Sequence, residues 1–357
     1  MFFKAEDSCS LRGEETLAPA IPYIEASGTY YEIGCAIGES LKEKMRLLSG
    51  KAQAASEAKA FDWRSFASRV EKRIGKHFPY ALEELRGMAA GSGLTLADII
   101  LLSSGETVSA APDKCTTVGM LCASGAFLGH NEDWESGSED FLYVVKATPK
   151  SGAAYLSLAY VGSLAGSAVA LNSHGIAFSG NTILHNEKAR QNGMPKDIIL
   201  RGQVEASSLK EFERLAMFSP RAIANHSLAM DRTGAMVSVE VSAKKARSVW
   251  PQGWCVHTNH PLYEGMAQLE ERPYQTSLLR YECASGMLSS REGFTRDYLE
   301  RILRCHDSHP DSVCRHPGGK ETPDVRTLAS AIVDLGAMAL DVAAGYPCEA
   351  EYVRYTL

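Results

Sequence analysis

A cysteine opens the segment Cys115-Thr116-Thr117-Val118-Gly119-Met120-Leu121-Cys122, and after Ala123-Ser124-Gly125 the chain continues through Ala126 into Phe127-Leu128-Gly129-His130-Asn131-Glu132-Asp133-Trp134. Both arms read as strands and the Ala-Ser-Gly between them as a turn, so a hairpin is expected. A turn centred on Ser124 sets Cys115 opposite Asp133 and Thr117 opposite Asn131. Directly opposed residues share a face, with Cβ atoms ~5 Å apart. Alternation then gathers Cys115, Thr117, Asn131 and Asp133 on one side of the sheet. A thiol, a hydroxyl, an amide and a carboxylate are the parts of a nucleophilic site, but a thiol of pKa ~8.5 must first lose its proton. The same pattern fits a polar sheet face around a buried structural cysteine. A one-residue slip would scatter the group.

Other residues of chemical interest have simpler readings. Cys305-His306-Asp307-Ser308-His309 followed by Cys314-Arg315-His316 holds zinc-type ligands, yet without a paired C-x2-C arrangement, so no metal is assigned. His257 and His260 flank Asn259 and read as structural rather than as general bases. Cys35, Cys122, Cys255 and Cys348 read as small buried hydrophobes. Trp134 and Trp254 suit either a substrate pocket or the core. Gly34 and Gly38 lack a phosphate-loop pattern, so no nucleotide site follows.

The elements that must position the hairpin fall into blocks. Tyr31 to roughly Lys59, Trp63 to Lys76 and Tyr80 to Ala90 have helical character, with Gly91 and Gly93 as stops. Thr95 and Asp98 form a cap pair for a helix towards Ser104. From about Cys115 to Val249 the chain is β-rich, with turns at Asn172-Ser173-His174-Gly175 and Asp231-Arg232-Thr233-Gly234 and a helix at Leu209 to Met217. Helices are expected at Tyr274 to Leu288, with Pro273 at its start, and at Arg296 to Arg304. Strands close the chain at Ala329 to Leu335 and Ala339 to Ala343. Blocks of this kind imply helices packed on antiparallel sheets, in one unit with no obvious linker.

The 357 residues carry a net charge of −6, with 45% hydrophobic and 22% charged residues. That balance excludes a disordered or coiled-coil chain and argues against a nucleic-acid partner. Ser151 to Asn186 lacks Asp, Glu, Lys and Arg, but its Gly and Ser interruptions read as buried strands rather than a membrane span. Nine cysteines are too sparse for a disulfide scaffold, and acids follow the first residues before any apolar core, so no signal peptide is read and a reducing cytoplasm is the expected setting.

Taken together, the motifs resemble the acyl-coenzyme A:6-aminopenicillanic acid acyltransferase family of N-terminal-nucleophile enzymes. The resemblance rests on Gly28-Thr29-Tyr30-Tyr31-Glu32-Ile33-Gly34 with Gly38, and on Glu83 to Ala89 with Gly91. It continues through Cys115-Thr116-Thr117, Asn131-Glu132-Asp133-Trp134, Val256-His257-Thr258-Asn259-His260 and Ser312-Val313-Cys314-Arg315-His316. It implies a single α+β domain, a four-layer αββα sandwich of two antiparallel sheets between helical layers. It also implies a precursor that cuts itself between Lys114 and Cys115, leaving residues 1–114 as an α chain and 115–357 as a β chain. By resemblance Cys115 is the nucleophile, its new α-amine the base, Asp133 the holder of that amine, and Thr117 an aid to positioning. Asn259 and Asn181 are the oxyanion donors, and Trp134 and His260 line the substrate. No cofactor is implied.

The expected function is a self-processing amidohydrolase of small non-peptide linear amides, such as N-β-alanyl amines, because water is always available to the acyl-enzyme. Two alternatives stand beside it: an acyltransferase moving an acyl group from a CoA thioester to an amine, and an unprocessed ligand-binding relative. Lys114 favours the last, since penicillin-pathway acyltransferases carry glycine at that place.

Overall fold

The computed structural model describes residues 21–105, 115–183, 192–269, 273–290 and 293–357. Strand β1 (Tyr23–Gly28) leads into helices α1 (Tyr30–Ser40), α2 (Lys42–Ala58), α3 (Trp63–His77), α4 (Pro79–Ser92) and α5 (Leu96–Leu102). Their starts are written in side chains. Thr29 with Glu32 and Thr95 with Asp98 form reciprocal capping boxes, and Asp62 accepts from Ser65 N. Gly93, left-handed at φ 71°, ends α4.

Gly91 was expected to stop α4 but lies within it, and its purpose is packing. A Cβ at Gly34 would sit 2.0 Å from Glu84 O, one at Gly38 2.4 Å from Met88 O, one at Gly87 2.0 Å from Tyr31 O and one at Gly91 2.2 Å from Cys35 O. The two glycine pairs let α1 and α4 meet backbone to backbone, which no larger residue permits.

After the helices come β2 (Thr116–Cys122), β3 (Gly125–Glu135), β4 (Leu142–Pro149), β5 (Tyr155–Tyr160), β6 (Val169–Asn172) and β7 (Ile176–Asn181). Helices α6 (Lys196–Val204) and α7 (Leu209–Ala216) precede β8 (Asn225–Asp231), β9 (Met236–Val241), β10 (Ala246–Val249) and β11 (Trp254–His257). Helices α8 (Gln275–Ser289) and α9 (Arg296–Leu303) precede β12 (Val325–Asp334), β13 (Ala339–Ala344) and β14 (Val353–Thr356).

These strands make two sheets, ordered β1-β4-β5-β6-β7-β8-β9-β10 and β11-β2-β3-β12-β13-β14. Three apolar layers separate the elements. Helices α1 to α7 pack on one face of the first sheet, through residues such as Ile33, Phe66, Phe178 and Phe212. Leu128, Leu158, Leu228 and Ala331 fill the space between the sheets. Val118, Met120 and Ile332 meet Ala284, Leu299 and Ile302 of α8 and α9 on the far side. The order is therefore helix, sheet, sheet, helix, an α+β fold in four layers. One edge departs from the expected antiparallel pattern: β1 pairs with β4 in parallel. The uncharged stretch resolves into β5, β6 and β7, and among the described residues no single helix is long and apolar enough to cross a membrane.

Candidate active site

The hairpin forms, but one residue tighter than expected. Cys122 pairs with Gly125, so the loop is only Ala123 and Ser124, and Thr116 faces Asn131 while Thr117 faces His130. The two-residue loop corrects the Cys115–Asp133 pairing. Carried one step further, the register sets Cys115 opposite Glu132. Cys115, Thr117, His130 and Glu132 therefore share the face towards the other sheet. Thr116, Asn131 and Asp133 share the face towards α8 and α9.

Glu132, which the sequence reading passed over, meets the thiol. Cys115 Sγ lies 3.3 Å from Glu132 Oε1, and the cysteine is 2% exposed. Tyr160 Oη donates to the same oxygen at 2.9 Å, and His130 Nε2 is 2.8 Å from Glu132 Oε2. On the other side of that ring, His130 Nδ1 is 2.9 Å from Thr117 Oγ1. Thr117 Oγ1 donates to Asn181 Oδ1 at 2.7 Å, across the gap between the sheets. With its proton spent there, the hydroxyl accepts from His130 Nδ1. His226 Nδ1 is 3.2 Å from the same Asn181 oxygen, and burial holds His226 well below the ordinary histidine range. The neutral ring donates through Nδ1, so both lone pairs of Asn181 Oδ1 are occupied and the amide is fixed with its NH2 turned away from Thr117 and His226. Asn181 Nδ2 reaches His257 O at 3.5 Å.

Strand β11 flanks β2 on its other side, with His257 opposite Thr117. Two residues on, Asn259 comes level with Cys115. Its Nδ2 donates to Thr182 O at 3.0 Å and its backbone N to Ser277 Oγ at 2.9 Å. The sequence reading missed Arg280, which ties these parts together. Arg280 Nη1 donates to Cys115 O at 2.6 Å and Thr116 Oγ1 at 2.9 Å, while Nη2 donates to Asn259 Oδ1 at 2.8 Å. The available signal was an arginine on the helix stripe Thr276, Ser277, Arg280, Ala284 and Leu288, all buried and otherwise uncharged.

Asp133 stands behind this group. Its Oδ1 accepts from Thr327 Oγ1 at 2.7 Å, and its Oδ2 is buried without a hydrogen-bond partner among the described residues. Burial pushes its carboxyl up to about 6, against the pull of Arg280 and Arg315. Burial likewise lowers Arg280 to about 10, more than Asp133 restores.

Of the flanking histidines, His257 is held between Glu240 Oε1 at 2.8 Å and Thr258 O at 2.7 Å. His260 Nδ1 contacts Ser277 Oγ at 2.9 Å, and burial lowers it to about 4. Trp134 lies on the Glu132 face with its ring 6.3 Å from that of Tyr160. Asn131 is structural, donating to Leu303 O and Val313 O at 2.8 Å. Lys114 lies outside the described residues.

Residues 121–349, which include Asp133, Asn181 and Asn259, match the family described as acyl-coenzyme A:6-aminopenicillanic acid acyl-transferase. This chain belongs to that family. A β-alanyl-dopamine/carcinine hydrolase of Drosophila melanogaster is 25% identical over 221 residues, 55% of this chain and 57% of that protein. The chain thus matches little more than half the length of that curated relative. Among solved structures, penicillin V acylase of Agrobacterium tumefaciens superposes with a TM-score of 0.46 at 13% identity, over 64% of this chain and 82% of that one. A mutant conjugated bile acid hydrolase of Clostridium perfringens gives 0.43 at 12%, over 68% and 97%. The acyl-transferase match begins after Cys115, so Cys115-Thr116-Thr117 lies outside the matched residues. Within this family frame the site has a thiol at the mouth of a strand, two side-chain amides fixed by their neighbours, and a buried arginine linking one amide to the cysteine carbonyl.

Proposed function

We propose that this chain is a self-processing cysteine amidohydrolase that cleaves small non-peptide linear amides through an acyl-enzyme on Cys115. The observation that carries the reading is the Arg280 clamp, which holds the Cys115 carbonyl and the Asn259 amide with one buried guanidinium. A cut between Lys114 and Cys115 gives the cysteine an α-amine with a reference pKa of ~7.7–8.0, fit to take the thiol proton. The thiolate attacks the substrate carbonyl carbon. The oxyanion receives N–H groups of Asn259 and Asn181, and losing one such donor costs ~3 kcal/mol. The C–N bond breaks, and the leaving amine takes the proton back from the α-ammonium. Water, deprotonated by the same amine, then breaks the thioester and frees the acid.

Thr117 positions the network that orients Asn181. We assign Asp133 to the arginine pair behind the strand, while Glu132 faces the sulfur. Trp134, beside Tyr160, and His260 border the acyl or amine portion. The name of the Drosophila relative makes N-β-alanyl amines the first substrates to try.

The test is incubation of purified protein with N-β-alanyl amines, with and without an acyl-CoA and an added amine, alongside N-terminal sequencing. Hydrolysis products, a new start at Cys115 and an inert, uncut Cys115→Ala variant are expected. Amide formation from the thioester without hydrolysis would reassign the reaction to acyl transfer. Full activity in Cys115→Ala, or active material that starts only at Met1, refutes the nucleophile.

A further inference from the structure

Away from the hairpin, the segment between α9 and β12 folds against the turn between β13 and β14, and four side chains converge there. His306, Cys314 and His316 come from the first segment and Cys348 from the turn. Their ligand atoms all lie within 4.8 Å of one another. His306 Nε2 is 3.2 Å from His316 Nε2, Cys314 Sγ is 3.6 Å from Cys348 Sγ, and His316 Nε2 is 3.7 Å from Cys314 Sγ and 3.6 Å from Cys348 Sγ.

Four of the six ligand-to-ligand edges can thus be compared with those of a tetrahedral ion. Zn–N bonds of ~2.0–2.1 Å and Zn–S bonds of ~2.3 Å at tetrahedral angles place ligand atoms ~3.3 Å (N to N), ~3.6 Å (N to S) and ~3.8 Å (S to S) apart. The four observed distances each fall within a fraction of an ångström of the corresponding edge. A disulfide needs sulfurs ~2.05 Å apart, far closer than these. Two thiolates and two imidazoles are the donor set that borderline-soft Zn2+ favours in tetrahedral geometry. The ligands are also braced. His316 stacks on Tyr346 with ring centroids 4.0 Å apart, Cys314 N donates to Cys305 O at 3.0 Å, and Ser312 Oγ donates to Cys314 O at 2.6 Å.

We propose that His306, Cys314, His316 and Cys348 form a structural zinc site that staples the 305–324 segment to the closing strands. With four protein ligands the ion is coordinatively closed, so the site is structural rather than catalytic. Binding displaces the two thiol protons to solvent, leaving a neutral Zn(Cys)2(His)2 unit. The sequence pattern did not assign it, because Cys348 is remote in the chain and the other ligands follow no paired motif. Its position has a consequence for the site already described. Arg315 lies between two ligands, its backbone N accepted by Thr327 Oγ1 at 2.9 Å, and that hydroxyl donates to Asp133 Oδ1 at 2.7 Å. The ion would therefore fix the backbone that supports Asp133.

The experiment is metal analysis of the untagged full-length chain, expressed with zinc and purified without chelator. About one zinc per chain is expected. Cobalt exchanged into the site should show the intense visible absorption of a tetrahedral thiolate complex. Cys348→Ser and the exposed His306→Gln should each lower zinc retention at least tenfold, while Cys283→Ser, at a thiol that lies 3.0 Å from Cys305 Sγ and is none of the four ligands, should leave it unchanged. Zinc below a tenth of an equivalent with no cobalt spectrum overturns the proposal. So does zinc that follows Cys283 rather than Cys348, or a metal-free protein whose intact mass shows a Cys314–Cys348 disulfide.

Discussion

Replacing Arg280 with methionine separates positioning from stability. The guanidinium makes three short hydrogen bonds, to Cys115 O, Thr116 Oγ1 and Asn259 Oδ1, each with a net worth of ~1.5 kcal/mol, and a longer one at 3.4 Å to Thr276 Oγ1. Against that, burial brings Arg280 from 12.5 to about 10, so holding its charge costs about 3 kcal/mol in folding. Without the arginine, Asp133 is left with Arg315 as its cation and takes up a proton, a small further cost for a carboxyl already near neutrality. The balance predicts that Arg280→Met loses only ~2 kcal/mol of stability, a fall in Tm of roughly 3 °C for a chain of this length. Activity should suffer far more. The Cys115 carbonyl and the Asn259 amide lose their shared tether, and displacing one oxyanion donor lowers kcat ~10²–10³-fold. Thermal melts together with kcat/KM on a β-alanyl amide check both halves. Activity within tenfold of the parent, or a loss of more than ~5 kcal/mol in stability, would show that the clamp does not organise the site as argued.

Further outcomes follow from the packing and the buried charges. Gly34→Ala should destabilise by several kcal/mol, because its Cβ would lie 2.0 Å from Glu84 O, whereas Gly50→Ala in α2, with nothing within 4 Å, should stabilise by ~0.5–1 kcal/mol in urea melts. Folding raises Asp133 to about 6, so its contribution is fully present below the unfolded value of ~3.9 and lost as pH rises through 6, a change of about 3 kcal/mol; Asp133→Asn should flatten that interval in denaturation measured from pH 4 to 7. Thr117→Val keeps the shape but removes the donor to Asn181 Oδ1, and should lower kcat ~10-fold or more with little change in KM.

Much of the architecture was legible because its signals are local. Thr95 and Asp98 cap α5 as their spacing predicts, and the helices at Trp63–His77 and Arg296–Leu303 follow their apolar periodicity. Edge strands β1 and β14 were not read, since short half-exposed segments carry weak patterns. Strand register is a finer matter. Whether the loop after Cys122 holds two residues or three decides if Asp133 or Glu132 meets the thiol, and composition does not settle that difference. Arg280 and Cys348 were beyond reach for another reason. Each acts on residues far along the chain, and only tertiary packing brings Arg280 to Cys115 and Cys348 to Cys314.

Strand β1 and helices α1 to α5 all precede position 115, yet they are bound into the chain beyond it. Tyr23 to Gly28 pair along β4, Glu84 meets Arg201 at 2.8 Å in the core, and Ser103 Oγ donates to Gly162 O at 2.7 Å. Severing the backbone before Cys115 would thus make two polypeptides that stay one body. Once unfolded, however, they would have to find each other again by diffusion, so recovery of the cut form should worsen on dilution while the intact precursor refolds at any concentration. Breaking one peptide link would exchange a refolding set by the chain alone for one set by concentration.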